Sequence, residues 1–425
     1  MEVSRSRAIR LHPYSYNRAP HHAHPPVPTR IDPLRISAYT ATTAAGPGRQ
    51  ALHEALRANR SALRPNDFGP HALDTWIGRV DGLEDAPLPE PWAPWDCRNN
   101  RLAWLGLQCD GFLSEALHAR DRYGPERVAV VLGTSTSSIG ATEEAYRSLD
   151  ADGRFAPAMR LPRLHTPHSL AMFVREALGL EGPCITVSTA CSSSAKVFGD
   201  AERMIRLGLV DAAIVGGVDT LCGSVLFGFN SLELVSPEPC RPFDAHRRGI
   251  SLGEAAGYAL LERSQADDAL RLLGYGEASD AHHMSTPHPQ GVGAELALDD
   301  ALARAGIDAG RVDTINLHGT ASAKNDEVEA ALVARRFGAG VHASATKGLT
   351  GHTLGAAGIV EAAICLLGLE HGWCWGTPNT RSLDAACGPQ IRLEPQRHAH
   401  RVALSHSFGF GGNNCALLFG RADGS

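Results

Sequence analysis

The run Cys184-Ile185-Thr186-Val187-Ser188-Thr189-Ala190-Cys191-Ser192-Ser193-Ser194 decides the fold class. Its first four residues read as a buried strand. From Ser192 to Leu207 the spacing is helical. Between them lies a sharp turn of small residues carrying a cysteine. Working outward, Arg127–Gly133 and Asp211–Gly217 are further apolar strands, the latter ended by glycines. Leu34–Tyr39 alternates like a strand, and Ala51–Arg60 reads as a helix. The C-terminal half repeats the alternation. Val312–Leu317 is a strand that runs into His318, and Asp326–Phe337 is helical. Gly355–Leu369 is an Ala-rich helix, and Val402–Ser405 and Asn414–Phe419 are strands flanking a Gly-rich turn. Strands alternating with helices predict an α/β fold with a largely buried sheet. Two comparable halves meet between residues 260 and 270, which suggests internal duplication.

Composition bounds the function. The chain has 425 residues, 43% hydrophobic and 20% charged, with a formal net charge of -6. This suits a large soluble enzyme and shows no basic stripe for nucleic acid. The 10 cysteines form no C-x-x-C pair and no regular spacing, against a disulfide framework or a zinc site. A cytoplasmic protein is the simple expectation. Gly355–Gly368, the most apolar run, is too short to span a bilayer and contains Glu361. Residues 1–33 hold five prolines and three histidines clustered between Pro13 and Pro28, and read as a disordered extension. The ordered chain divides into halves at 34–265 and 266–425.

Cys191 is the candidate nucleophile. A cysteine at a helix N-terminus meets the positive end of the helix dipole and free N–H groups, which favour thiolate. The small residues Ala190, Ser192, Ser193 and Ser194 leave room for a bulky acyl group. A plain buried cysteine is the competing reading. Two of the 20 histidines stand out. His318 opens His318-Gly319-Thr320-Ala321-Ser322, and His352 lies in Lys347-Gly348-Leu349-Thr350-Gly351-His352-Thr353-Leu354-Gly355. Each sits in a turn of small residues that exposes backbone donors.

These segments, with Asp219, Pro242-Phe243-Asp244, Gly253-Glu254-Ala255-Ala256 and Ser407-Phe408-Gly409-Phe410-Gly411-Gly412-Asn413, make the chain resemble the elongating β-ketoacyl-acyl-carrier-protein synthases of the thiolase superfamily. The likeness runs from about Leu34 to Phe419. It implies a thiolase-like fold, with duplicated α/β halves in a layered αβαβα sandwich. It also implies an acyltransferase that loads an acyl group from carrier-protein phosphopantetheine onto Cys191. That group would then condense with malonyl-carrier protein by decarboxylative Claisen chemistry. On this likeness His318 and His352 hold the thioester oxygen as charge develops. Lys347 tunes local electrostatics, paired with Glu361. The Cys191 and Phe410 N–H groups form a second oxyanion hole, Phe408 and Phe410 gate entry, and Thr320 and Ser322 bind the pantetheine arm. Core packing is the competing reading for the two phenylalanines, more so for Phe408. No metal and no further cofactor are implied. The implied partners are an acyl carrier protein and a second subunit, either a copy of this chain or a chain-length-factor-like protein. Nucleic acid and membrane are not.

Gly133–Gly140 is poorer in glycine than the family pattern, and Ser322, Ala323 and Asn325 also depart from it. These changes bear on acyl preference rather than on reaction type. The product class that fits the overall pattern is a fatty acid, or a polyketide of aryl-polyene type. A non-catalytic chain-length-factor-like partner is the alternative, and the presence of Cys191 and both histidines argues against it. A thiolase would need a second cysteine where Phe408–Gly412 stands, and an initiating synthase an asparagine at His352.

Overall fold

The computed structural model describes residues 30–160, 162–263 and 270–421. The extension assigned to 1–33 lies almost wholly outside the described residues, and so does the boundary at 265/266. Ten strands form one sheet. The first half supplies β1 (Leu34–Thr42), β2 (Val128–Gly133), β3 (Cys184–Val187), β4 (Ala212–Asp219) and β5 (Ala255–Arg263). The second supplies β6 (Leu270–Ser279), β7 (Thr314–Asn316), β8 (His342–Ser344), β9 (Val402–Gly409) and β10 (Asn413–Arg421). Their spatial order is β8-β7-β9-β10-β6-β1-β5-β4-β2-β3. Each half therefore repeats one order, third-second-fourth-fifth-first.

Strand directions repeat as well. The first and fifth strands of each half pair antiparallel, as do the fifth and fourth. The fourth, second and third run parallel. The halves join where β1 meets β6, with Leu34 opposite Leu272 and Arg35 opposite Arg271. The duplication expected from the alternation is thus a property of the backbone.

The helices are α1 (Gly48–Arg57), α2 (Arg98–Gln108), α3 (Phe112–Tyr123), α4 (Ser169–Ala177), α5 (Ser193–Arg206), α6 (Val292–Ala305), α7 (Ala323–Arg336) and α8 (Ala357–His371). Alternate side chains of each strand leave for opposite faces. In β4, Ala213 and Val215 join a central core with α1, α5 and α8. Ala212, Ile214 and Val218 join a second core under α2, α3 and α4. In β10, Cys415, Leu417 and Phe419 join the central core, while Ala416 and Leu418 pack under α6 and α7. This is the five-layer αβαβα sandwich, with α5 and α8 in its middle layer.

Lying between two sheet faces, α8 is buried from Ala357 to Leu369, and its sequence shows no polar face. The segment Leu354–His371 is long and apolar enough to cross a membrane, but it lies buried in this middle layer.

The crossing of α5 and α8 is very close. A Cβ on Gly358 would lie 2.4 Å from the Ala195 backbone nitrogen. One on Gly133 would lie 2.3 Å from the Ser194 nitrogen, and one on Gly217 would lie 2.6 Å from the Ser194 Cβ. The Ser194 hydroxyl accepts the Ile359 N–H at 2.9 Å, so α5 caps the first turn of α8. The small residues after Cys191 are thus required by three backbones converging on one helix start. Gly358→Ala should cost about 1–3 kcal/mol or more in chemical denaturation. Gly228→Ala, on an exposed helix site with nothing within 4 Å, should be neutral or gain up to about 1 kcal/mol. Equal effects at the two positions would contradict the close crossing.

Candidate active site

Each candidate residue sits next to a strained turn. Ala190 (φ 53), Ala321 (φ 66) and Leu354 (φ 56) are non-glycine residues in the left-handed region, within three positions of Cys191, His318 and His352. Hydroxyls hold the first turn. The Ser193 Oγ donates to the Ala190 carbonyl at 2.5 Å and accepts the Thr189 N–H at 2.9 Å. The helix proper spans Ser193–Arg206, so Cys191 stands just ahead of its first turn.

His352 is pinned from both sides of its peptide. Its N–H donates to the Ser251 carbonyl at 2.7 Å, and its carbonyl accepts the Gly253 N–H at 2.9 Å. Asp219, at the end of β4, then accepts the Gly355 N–H at 2.6 Å. The same carboxylate takes Thr134, Ser135 and Thr136, so it clamps the His352 loop to the Gly133–Gly140 segment. Burial pushes the Asp219 carboxyl up, and the Thr134 and Thr136 hydrogen bonds oppose this.

The side chains converge. The His352 Nε2 is 3.0 Å from the Cys191 Sγ. The His318 and His352 rings stand 5.4 Å apart and nearly perpendicular, at 88°. The reactive atoms of Cys191, His318 and His352 all lie within 4.8 Å of one another. Hydrogen bonding assigns the tautomers. The His352 Nδ1 accepts the Leu354 N–H at 3.3 Å, and the His318 Nδ1 faces the Lys347 ammonium at 3.3 Å. Each neutral ring therefore carries its proton on Nε2. Two histidines and a cysteine are a donor set that also suits zinc. Here the Nδ1 lone pairs are already used and the Nε2 atoms carry hydrogen, so the arrangement offers donors, with an ammonium beside them.

Lys347 is 2% exposed. Its ammonium contacts Glu361 on α8, the His318 carbonyl at 2.5 Å and the His318 ring. Glu361 also accepts from the Ser407 hydroxyl at 3.4 Å. Burial, and then the Lys347 charge, hold both histidines well below the usual imidazole range, so they are neutral at physiological pH. Burial raises Glu361 to about 7, against the attraction of Lys347.

Cys191 departs from the sequence expectation. Burial pushes its thiol up to about 11, opposed by the Lys347 charge and the Phe410 backbone N–H. Desolvation outweighs the helix-terminus effect, so the resting form is the thiol.

A cleft of about 290 Å³ opens onto Cys191, His318 and His352, and Thr320, Ser322, Phe408 and Phe410 line its walls. The Thr320 and Ser322 hydroxyls lie 2.9 Å apart. Phe408 lies 5.8 Å from the His318 ring and is only half-buried, so pure core packing does not describe it. Phe410 packs on Phe229 at 5.6 Å. A larger cavity, about 950 Å³, lies between the start of α2 and the helices Ile139–Arg147 and Gly223–Ser231. It reaches none of these residues, so chemistry rather than size identifies the site.

Sequence reasoning missed Glu329, which is fully buried on α7. It accepts the His318 and Gly319 N–H groups, both at 2.8 Å. An acid in the second turn of the helix that follows the His318 motif, flanked by Val328, Ala330, Leu332 and Val333, is the signal that could have found it. It also missed Asp326 as an anchor. Asp326 accepts the Phe243 and Ala321 N–H groups, and burial raises it to about 6.

Residues 101–267 match the beta-ketoacyl synthase N-terminal domain, and residues 270–381 match the C-terminal domain. Nodulation protein E of Rhizobium meliloti (strain 1021) is 34% identical over 304 residues, covering 69% of this chain and 75% of that protein. A chain in the complex of the ketosynthase ApeO with its chain length factor ApeC, from Xenorhabdus doucetiae, is 37% identical with a TM-score of 0.84. That match covers 92% of this chain and 98% of the other. A beta-ketoacyl synthase from Burkholderia phymatum STM815 is 28% identical with a TM-score of 0.79, over 92% and 100% of the two chains.

The depressed histidines give stability a direction with pH. Their folded values lie below the unfolded one, so the stability they hold is full above about pH 6.5 and drains as pH falls. Asp326 and Glu361, raised to about 6 and about 7, act oppositely, losing stability as pH rises through those values. Comparison with a His318→Gln/His352→Gln double variant isolates the histidines. Between about pH 8 and about pH 5 the wild type should lose melting temperature relative to that variant. A constant difference would contradict buried neutral rings.

Proposed function

The chain belongs to the β-ketoacyl synthase family of condensing, acyl-transferring enzymes, and from that premise we propose that Cys191 is its nucleophile and that His318 and His352 are its catalytic histidines. The convergence of one thiol and one ring nitrogen from each of two neutral imidazoles within 4.8 Å, on the wall of a cleft, carries this reading. The Cys191 sulfur attacks the thioester of an acyl-carrier protein. A C–S bond forms, the phosphopantetheine thiolate leaves, and the thiol proton goes with it. Malonyl-carrier protein then enters, its C–C bond to the carboxylate breaks, and carbon dioxide departs. The electron pair remains as an enolate, whose oxygen accepts the two Nε2–H donors. The enolate carbon attacks the acyl-Cys191 carbonyl, whose oxygen meets the Cys191 and Phe410 N–H groups. Collapse breaks the C–S bond and releases a 3-oxoacyl product with Cys191 as thiolate, which takes one proton from solvent to restore the resting thiol.

Neutral rings suit this task. Each offers a hydrogen to a developing anion without first giving up a proton, and Lys347 keeps the local field positive. Lys347, Glu361, Phe408, Thr320 and Ser322 take the supporting, gating and pantetheine-binding roles described above. The reading calls for no metal, and for no cofactor beyond the carrier-borne pantetheine.

We infer an acyl carrier protein and a chain-length-factor-like second subunit as partners. The 37% identity to a chain of the ApeO and ApeC complex supports a heterodimer of that kind. The edge strand β3 is half-buried along its whole length and carries Cys184, Ile185 and Val187, which fits a subunit seated on that edge. A homodimer is the second reading. The proposed product class is a fatty acid or a polyketide of aryl-polyene type, made in the cytoplasm.

Intact-mass spectrometry with acyl-carrier proteins bearing different primers tests the nucleophile, with Cys191→Ala as control. One added acyl mass mapping to Cys191 is expected. Acylation of the Cys191→Ala protein, or none of wild type with its second subunit present, would overturn the reading.

A further inference from the structure

A fully buried imidazole, His406, stands behind the site and has no role in the reaction described above. It projects from β9 between Ser405 and Ser407, on the face that also carries Phe408. Its Nδ1 lies 3.1 Å from the Glu329 Oε1. That same oxygen accepts the His318 N–H at 2.8 Å, while Oε2 accepts the Gly319 N–H at 2.8 Å. The carboxylate is therefore held by two backbone amides on one side and by one ring N–H on the other. The His406 ring also packs 5.1 Å from Phe408, which in turn lies 5.8 Å from His318. Its Nε2 is buried with no partner among the described residues. A side chain present only to fill space would leave no such orphan. The arrangement makes sense if the Nδ1–H is what the position requires.

We propose that His406 is a positioning residue for the decarboxylation half-reaction, acting through Glu329 to hold the His318 turn. This rests on the proposed function of the site. Two neighbours on β9 then fix His318 from opposite faces. Ser407 holds Glu361, which meets Lys347 and through it the His318 ring. His406 holds Glu329, which meets the His318 backbone. Gly319 has φ 39, and a Cβ there would lie 2.3 Å from the Ala345 Cβ, so the turn has little slack and one permitted setting. Releasing Glu329 lets that turn tilt the His318 Nε2–H away from the point it shares with His352. Cys191 is untouched, because its own contacts run to the His352 ring and the Phe410 backbone, and Lys347 acts on it only through its charge.

The two half-reactions separate this role from a merely structural one. Acylation of Cys191 is read by intact mass, and loss of carbon dioxide from malonyl-carrier protein by conversion of that substrate to its acetyl form. In His406→Ala, decarboxylation should fall about tenfold or more, on the scale that a small misplacement of a catalytic group produces. Acylation should stay within about twofold of wild type. His406→Asn, whose amide N–H can reach Glu329 from the same side, should restore most of the loss. If the alanine variant does not fold, His406→Leu fills the volume without a donor and should behave as the alanine variant would. Decarboxylation unchanged in both donor-less variants would overturn the proposal. So would equal losses in both half-reactions, or an asparagine variant no better than leucine. A wild-type protein that neither acylates Cys191 nor decarboxylates would defeat the proposed function itself, and this inference with it.

Discussion

A buried ammonium between two helices is costly in a protein interior unless its partners are close and numerous. Lys347 meets that condition with Glu361 and the His318 carbonyl, and it faces the His318 ring nitrogen. Much of the site follows from this one contact. Burial first, and then this charge, keep His318 and His352 neutral, and the charge partly offsets the burial that raises the Cys191 thiol. By facing the His318 Nδ1 it leaves that ring's hydrogen on Nε2, toward the cleft. The contact also couples the halves of the site, since Glu361 lies on the central helix α8, and α8 crosses α5, which begins just after Cys191.

The crossing is the second constraint. With Gly133, Gly217 and Gly358 pressed against Ser194 and Ala195, the helix that follows Cys191 cannot shift without clashes on three sides. Rigidity there fixes the sulfur relative to His352. The strained residues Ala190, Ala321 and Leu354 are tolerated because the surrounding hydrogen bonds determine each turn. Asp219, Glu329 and Asp326 each gather backbone amides from the loops that carry or flank the reactive groups. Placement in this site comes from buried acids and small residues more than from the reactive side chains themselves.

Much of this was legible in the residues. The strand–turn–helix at Cys184–Ser194 and its alternating neighbours gave the α/β class, because the two periods differ so plainly. The duplication could only be suspected, since it resides in strand order and direction, which a sequence without repeats does not display. Cys191, His318 and His352 were visible because their turns are stripped to small residues. Glu329 and His406 were not, because a buried polar pair 77 residues apart in the chain shows itself only when the chain closes around it. The thiol's protonation was misjudged because a helix terminus can be read locally, whereas full burial cannot. Phe408 was expected at the cleft entrance, with core packing as the competing reading, and its half-buried place on the cleft wall, where strand β9 ends, does not fit plain core packing.

The most direct measurement is a neutron structure of the protein near neutral pH. The account predicts hydrogen on the Nε2 and none on the Nδ1 of both His318 and His352, with Lys347 as an ammonium. A hydrogen on either Nδ1, whether as the other tautomer or as imidazolium, would contradict a site built from two neutral donors.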